Sequence, residues 1–129
     1  MIGPPVVCVD TNCVIAYLAG ENGGDVEFLD KLLQQRTVAL APVVISELMS
    51  DPGLPVEAEK LISSLPLLTV FEGYWHRAGI LRAGLARRGY VARLADTLIA
   101  QSCLDHKAPL LTRDQSFQRF VKTAGLKLL

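Results

Sequence analysis

Five short apolar runs alternate with segments of helical period, and that alternation restricts this chain to one broad architecture. The runs fall at residues 5–9, 38–41, 67–71, 110–112 and 126–129, each of strand length and bounded by turn-forming or polar residues. Between them, apolar residues recur every three or four positions. Residues 25–35 place Val26, Leu29, Leu32 and Leu33 on one face, and residues 74–88 turn Ala78, Leu81 and Leu85 inward with the arginines outward. Further helices are expected at 12–18, 45–49, 56–64, 93–106 and 116–124. Gly20-Glu21-Asn22-Gly23-Gly24 reads as a turn, Asp51-Pro52-Gly53-Leu54-Pro55 as a break, and Gly89 as a helix end. Strands alternating with helices give an α/β fold: a three-layer α/β/α domain with a mostly parallel central sheet of about five strands. No repeat, low-complexity tract or long linker divides the chain, so residues 1–129 are read as a single domain.

Composition excludes several classes. Half the residues are hydrophobic and 6% aromatic, which suits a globular domain and not a disordered one. No apolar stretch approaches the roughly 20 residues that span a bilayer. Met1-Ile2-Gly3-Pro4-Pro5 lacks the basic region and apolar core of an export signal, so a cytoplasmic protein without a membrane partner is expected. The three cysteines, Cys8, Cys13 and Cys103, form neither a disulfide framework nor a zinc ribbon. Cys8 and Cys103 read as small core residues, and Cys13 has no histidine near it in sequence to serve as a base.

The net charge is zero, but the halves differ. Residues 1–64 carry nine acids against three bases, and residues 65–129 four acids against ten bases. A basic lobe beside an acidic cleft suits a polyanion held by its phosphates. Arg87, Arg88, Arg93 and Arg113 are the candidate RNA contacts; for the closely spaced arginines from Arg77 to Arg93 the competing reading is a solvated helix face.

Four acids are hard to explain by packing alone. Asp10 closes Val6-Val7-Cys8-Val9, Glu47 follows the second apolar run, and Asp114 follows Leu110-Leu111-Thr112-Arg113. Ligands of open α/β sheets bind beyond the carboxyl ends of the strands, where these acids would gather. Asp96 sits inside an apolar helical stretch, with Ala92, Ile99 and Ala100 one turn away. Taken singly, Asp10 and Asp114 could cap the helices that follow, Glu47 could lie on a solvated face, and Asp96 could pair with Arg93 at i−3. Taken together they repel one another unless protonated or bound to a cation. All are hard oxygen donors without His or Cys, a set that favours Mg²⁺ or Mn²⁺ over zinc. Metal-assisted hydrolysis of a nucleic acid follows as the expected chemistry, with Thr11 and Asn12 placed to orient ligands or waters.

These residues carry a resemblance. Asp10-Thr11-Asn12 after the first strand, Ser46-Glu47-Leu48 after the second, Asp96-Thr97-Leu98-Ile99-Ala100 on a helix and Leu111-Thr112-Arg113-Asp114 after the fourth strand occur in the order seen in PIN-domain ribonucleases. The chain most resembles the VapC-type toxins of toxin–antitoxin systems. The resemblance implies a PIN fold whose acids Asp10, Glu47, Asp96 and Asp114 surround one or two Mg²⁺ or Mn²⁺ ions, with Thr11, Asn12 and Thr112 in support. It also implies endonucleolytic cleavage of RNA, restraint by a cognate antitoxin, and a homodimer. Many relatives carry a further acid past the last position, whereas Gln115-Ser116-Phe117 offers none, which counts against a tightly held second ion. A receiver domain would need an acidic pair after the first strand, and a haloacid-dehalogenase-type phosphatase an Asp at position 12. A Rossmann domain would need GxGxxG, and none of these is present. A PIN-fold RNA- or protein-binding module without catalytic activity is the alternative reading.

Overall fold

The structure, a computed structural model, describes residues 5–129; the opening residues 1–4, read above for the lack of an export signal, lie outside the described residues. Strand β1 (Val7–Val9) is followed by α1 (Thr11–Leu18) and α2 (Gly24–Gln34), then β2 (Val38–Ala39), α3 (Pro42–Met49) and α4 (Val56–Ser64). Next come α5 (Tyr74–Arg87), α6 (Leu94–His106), β3 (Leu110–Leu111), a 3₁₀ turn (Gln115–Phe117) and α7 (Gln118–Ala124). The strands form a parallel sheet in the order β2-β1-β3, in register through Val7 on Val38 and Cys8 on both Ala39 and Leu110. β1 is thus central, with its two sequence successors on opposite sides. Its carboxyl end lies at the point where such sheets open a binding crevice.

Among the described residues the sheet has three strands and not about five. Segments 67–71 and 126–129, read as strands from their apolar character, each contribute one parallel bridge: Leu40 to Leu67 and Leu110 to Leu128. The cause lies in what they would pair with. β2 is cut short because Pro42 opens α3 at its first turn, where a missing N–H costs nothing. That leaves Leu40 alone to exchange bonds with the chain at Pro66 and Leu68. The same proline starts α3 three residues before the expected Ile45; Val43, Val44 and Ile45 are β-branched but follow a φ already suited to a helix.

The other helices match the periodicity. In α5, Ala78 and Leu85 are buried and Leu81 is half-buried. Gly89, at φ +85°, ends it, with Tyr90 N–H donating back to the Leu85 carbonyl. α6 is buried along most of its length, including Thr97, Ile99, Ala100, Ser102 and Cys103. It packs on α5 through Tyr74, whose hydroxyl donates to the Leu98 carbonyl at 2.6 Å, and through the Arg77–Asp105 ion pair at 2.6 Å. Phe117 and Phe120, with ring centroids 5.6 Å apart, close the core beneath the 3₁₀ turn.

All three cysteines are free and buried. Burial, aided by Asp25 and Asp10, pushes the Cys13 thiol up to about 11, so it remains a thiol at neutral pH. Among the described residues, no helix is long and apolar enough to cross a membrane.

Candidate metal centre and nucleic-acid cleft

The four acids converge on the carboxyl edge of the sheet. Asp10 leaves β1 directly, its N–H still pairing with the Leu111 carbonyl of β3. The residue is 5% exposed and its carboxylate doubly held: Oδ1 accepts from the Thr11 N–H at 2.8 Å and Oδ2 from the Thr112 hydroxyl at 2.6 Å. Thr112 also accepts from the Asp114 N–H at 3.0 Å, so one hydroxyl joins the first acid to the last. Glu47 reaches in from α3, where its Oε1 accepts from the Thr11 hydroxyl at 2.7 Å. Asp114 opens the 3₁₀ turn, with Oδ1 accepting from the Ser116 N–H at 2.9 Å. Asp96 lies in the first turn of α6, 3.3 Å from the Arg93 guanidinium.

The cap and salt-bridge readings therefore describe real contacts, yet they coexist with convergence. Asp10 caps α1, Asp114 caps the 3₁₀ turn, and Asp96 pairs with Arg93. The acids also act on one another. Burial holds the Asp10 carboxyl above its ordinary value of 3.8 despite its hydrogen bonds, and the charges of Asp96 and Glu47 raise it further. Asp96 is raised in the same way, chiefly by burial, with Arg93 opposing and Asp114 and Glu47 adding. Asp114 is lowered, mainly by its bonds from Ser116. Two acids thus carry a cost that a cation would relieve.

The donor set fits a hard divalent ion: carboxylate oxygens, already held by hydroxyls and backbone amides. The set is not closed around one point. Among the described residues, no three His, Cys, Asp or Glu side chains stand close enough to ligate a single ion.

The supporting and basic positions divide. Thr11 and Thr112 bond directly to acids. Asn12 instead accepts from the Arg113 N–H at 3.4 Å, at the long limit of a hydrogen bond. The Arg113 side chain turns away to bind Glu21 and Asp25, which ties the α1–α2 connection to the end of β3. Arg88 is bound to α7 through the Lys122 carbonyl and the Thr123 hydroxyl, both at 3.1 Å, while Arg87 is exposed. Only Arg93 of these four stands at the acids, its charge felt by Asp96 and Asp114.

Sequence reasoning missed Arg119. It lines a cleft of about 260 Å³ together with Arg93, Asp96, Asp114, Ser116 and Phe120. It lies in no motif, so the sequence carried no signal for it.

The family model described as PIN domain matches residues 7–122. Similar solved structures include VapBC2 from Rickettsia felis bound to a DNA fragment from their promoter, at 21% identity and TM-score 0.74, covering 96% of this chain and 97% of that one. DNA-bound VapBC from Salmonella typhimurium matches at 18% identity and TM-score 0.71, covering 98% of each chain. VapBC-5 from Mycobacterium tuberculosis, a member of the VapBC family of toxin-antitoxin systems, matches at 20% identity and TM-score 0.68, again over 98% of each. At these identities the likeness concerns the fold. No curated protein sequence matches the chain significantly.

Proposed function

Because the chain belongs to the PIN domain family, whose model spans residues 7–122, we propose that it is a metal-dependent endoribonuclease, the toxin of a toxin–antitoxin pair. The observation that carries this reading is the convergence of Asp10, Glu47, Asp96 and Asp114 at the strand edge, with Asp10 and Asp96 held above their ordinary values by burial and by the other acids. A pure binding surface has no use for so costly a set. The likeness to VapBC structures supports a cognate antitoxin as partner. A homodimer and a cytoplasmic setting belong to the same reading.

Each residue has a part. Asp10 and Asp96 are the buried acids that would hold Mg²⁺ or Mn²⁺, with Glu47 and Asp114 as further oxygen donors once the carboxylates draw closer around the ion than they stand here. An ion bound there supplies neutralising charge for the phosphodiester and acidity for the attacking water. The Thr112 hydroxyl and the Thr11 N–H orient Asp10, and the Thr11 hydroxyl orients Glu47, before substrate arrives. The mostly exposed Arg93 guanidinium is the counter-charge for a phosphate entering beside Asp96.

Single-turnover cleavage of an end-labelled RNA tests the proposal. The wild type should cut the RNA internally, and Glu47→Gln should slow the cut by about a hundredfold or more while the protein still binds RNA. RNA bound by the wild type without any product would instead favour the non-catalytic module.

A further inference from the structure

The cleft that Arg93 and Arg119 share with the acids contains more cationic surface than metal binding needs. Arg119 projects from α7, and it is anchored before any ligand arrives. Its Nη1 donates to the Val91 carbonyl at 2.7 Å, and its guanidinium lies over the Tyr90 ring at 5.6 Å from the centroid. A guanidinium has five N–H donors in a planar fork, and this one commits a single donor to the backbone. The stretch it grips, Tyr90 to Ala92, is also held from α5, where Arg82 Nε donates to the Ala92 carbonyl at 2.9 Å. This short connection leads directly to Arg93 at the start of α6. Two arginines thus fix the backbone that presents a third to Asp96, and Arg119 faces the same cleft as Asp96 and Asp114.

We propose that Arg119, together with Arg93, forms a phosphate seat beside the acids, which holds a backbone phosphate of single-stranded RNA next to the one that is cut. This rests on the nuclease reading above and names how that site takes its substrate. The location follows from charge. Asp96 and Asp114 repel an anion at their end of the cleft unless a cation covers them, whereas the Arg119 end is attractive without one. A pre-anchored guanidinium also loses less side-chain freedom on binding than a solvated lysine. Arg119 is therefore a positioning residue. It carries no base information, and it sets which phosphate lies at the acids.

The test measures binding and cleavage separately. A 5′-labelled mixed-sequence RNA of twelve nucleotides is titrated by fluorescence anisotropy in EDTA, with its integrity checked on a gel. Arg119→Met should weaken binding by about tenfold and make the salt slope shallower by about 0.7, one single-strand phosphate contact. Arg119→Lys should recover part of the affinity, and Lys60→Met, at an exposed position of α4, should change neither quantity. With metal, Arg119→Met should raise KM with a smaller change in kcat, because the residue does not touch the reacting atoms. Thermal melts of both Arg119 variants guard against a folding defect, and the Lys variant keeps the anchor's charge if the Met variant unfolds. Wild-type binding that Arg119→Met and Arg119→Lys leave unchanged in strength and salt slope would overturn the seat and spare the nuclease. A wild type that binds no RNA in EDTA would overturn the seat, and one that neither binds nor cleaves RNA with metal added would overturn both.

Discussion

Asp96→Asn should lower the single-turnover rate of RNA cleavage by about a thousandfold while leaving the metal-free fold as stable as the wild type or more so. The two halves of this expectation share one cause. The carboxyl is buried in the first turn of α6, and burial outweighs the pull of Arg93 on its protonation. The Arg93 side chain is 76% exposed, so the pair contributes little to stability. Because the folded state holds the proton more tightly than the unfolded one, the native protein binds more protons between the ordinary value of 3.8 and the raised folded value. Stability therefore falls as pH rises through that window, and the loss is complete at neutral pH. Asparagine cannot ionise and escapes the loss. The variant's advantage should accordingly appear at pH 7 and vanish below pH 3.8, where the wild-type carboxyl is also neutral. Urea unfolding in chelated buffer at both pH values checks this. A variant destabilised by several kcal/mol at pH 7 would mean that Asp96 is a structural partner of Arg93, as expected when a buried pair is broken by removing one member.

Phe117→Ala should destabilise the protein by about 3–5 kcal/mol, the usual cost of deleting a buried aromatic ring. Phe117 is fully buried and ends the 3₁₀ turn that Asp114 opens, so the ring ties the last acid's loop to the core against Phe120. The denaturant midpoint should fall sharply, and Phe117→Leu should cost much less because it fills most of the volume. A loss below about 1 kcal/mol for the alanine variant would mean that the site collapses freely and that the ring does not hold the turn.

The helices were legible because each signals itself locally. The apolar spacing of α2 and α5, the glycine that ends α5 and the Asp caps of α1 and the 3₁₀ turn are all read within one or two turns of chain. The gathering of the four acids at one edge was legible for a different reason: their positions conflict with packing, and three of them follow apolar runs of strand length. Sheet width was not legible. Whether residues 67–71 form a strand depends on how far β2 extends, and Pro42 decides that some 25 residues earlier in the chain. The fate of Arg113 was equally hidden, since Glu21 and Asp25 lie about ninety positions away and meet it only once β3 is placed beside β1. Arg119 lay outside every recognisable motif, and the cleft around it exists only in the folded chain.

The proposed nuclease works only with a divalent ion at the four acids. The most direct measurement is cleavage of an end-labelled RNA by exhaustively chelated protein, followed by titration with Mn²⁺ or Mg²⁺. Cleavage should be absent in chelator and return in proportion to added metal. The melting temperature should rise in parallel, because an ion that binds only the folded protein stabilises it and relieves the repulsion at Asp10 and Asp96. Cleavage at full rate in the chelated protein, with a melting temperature indifferent to metal, would contradict the account.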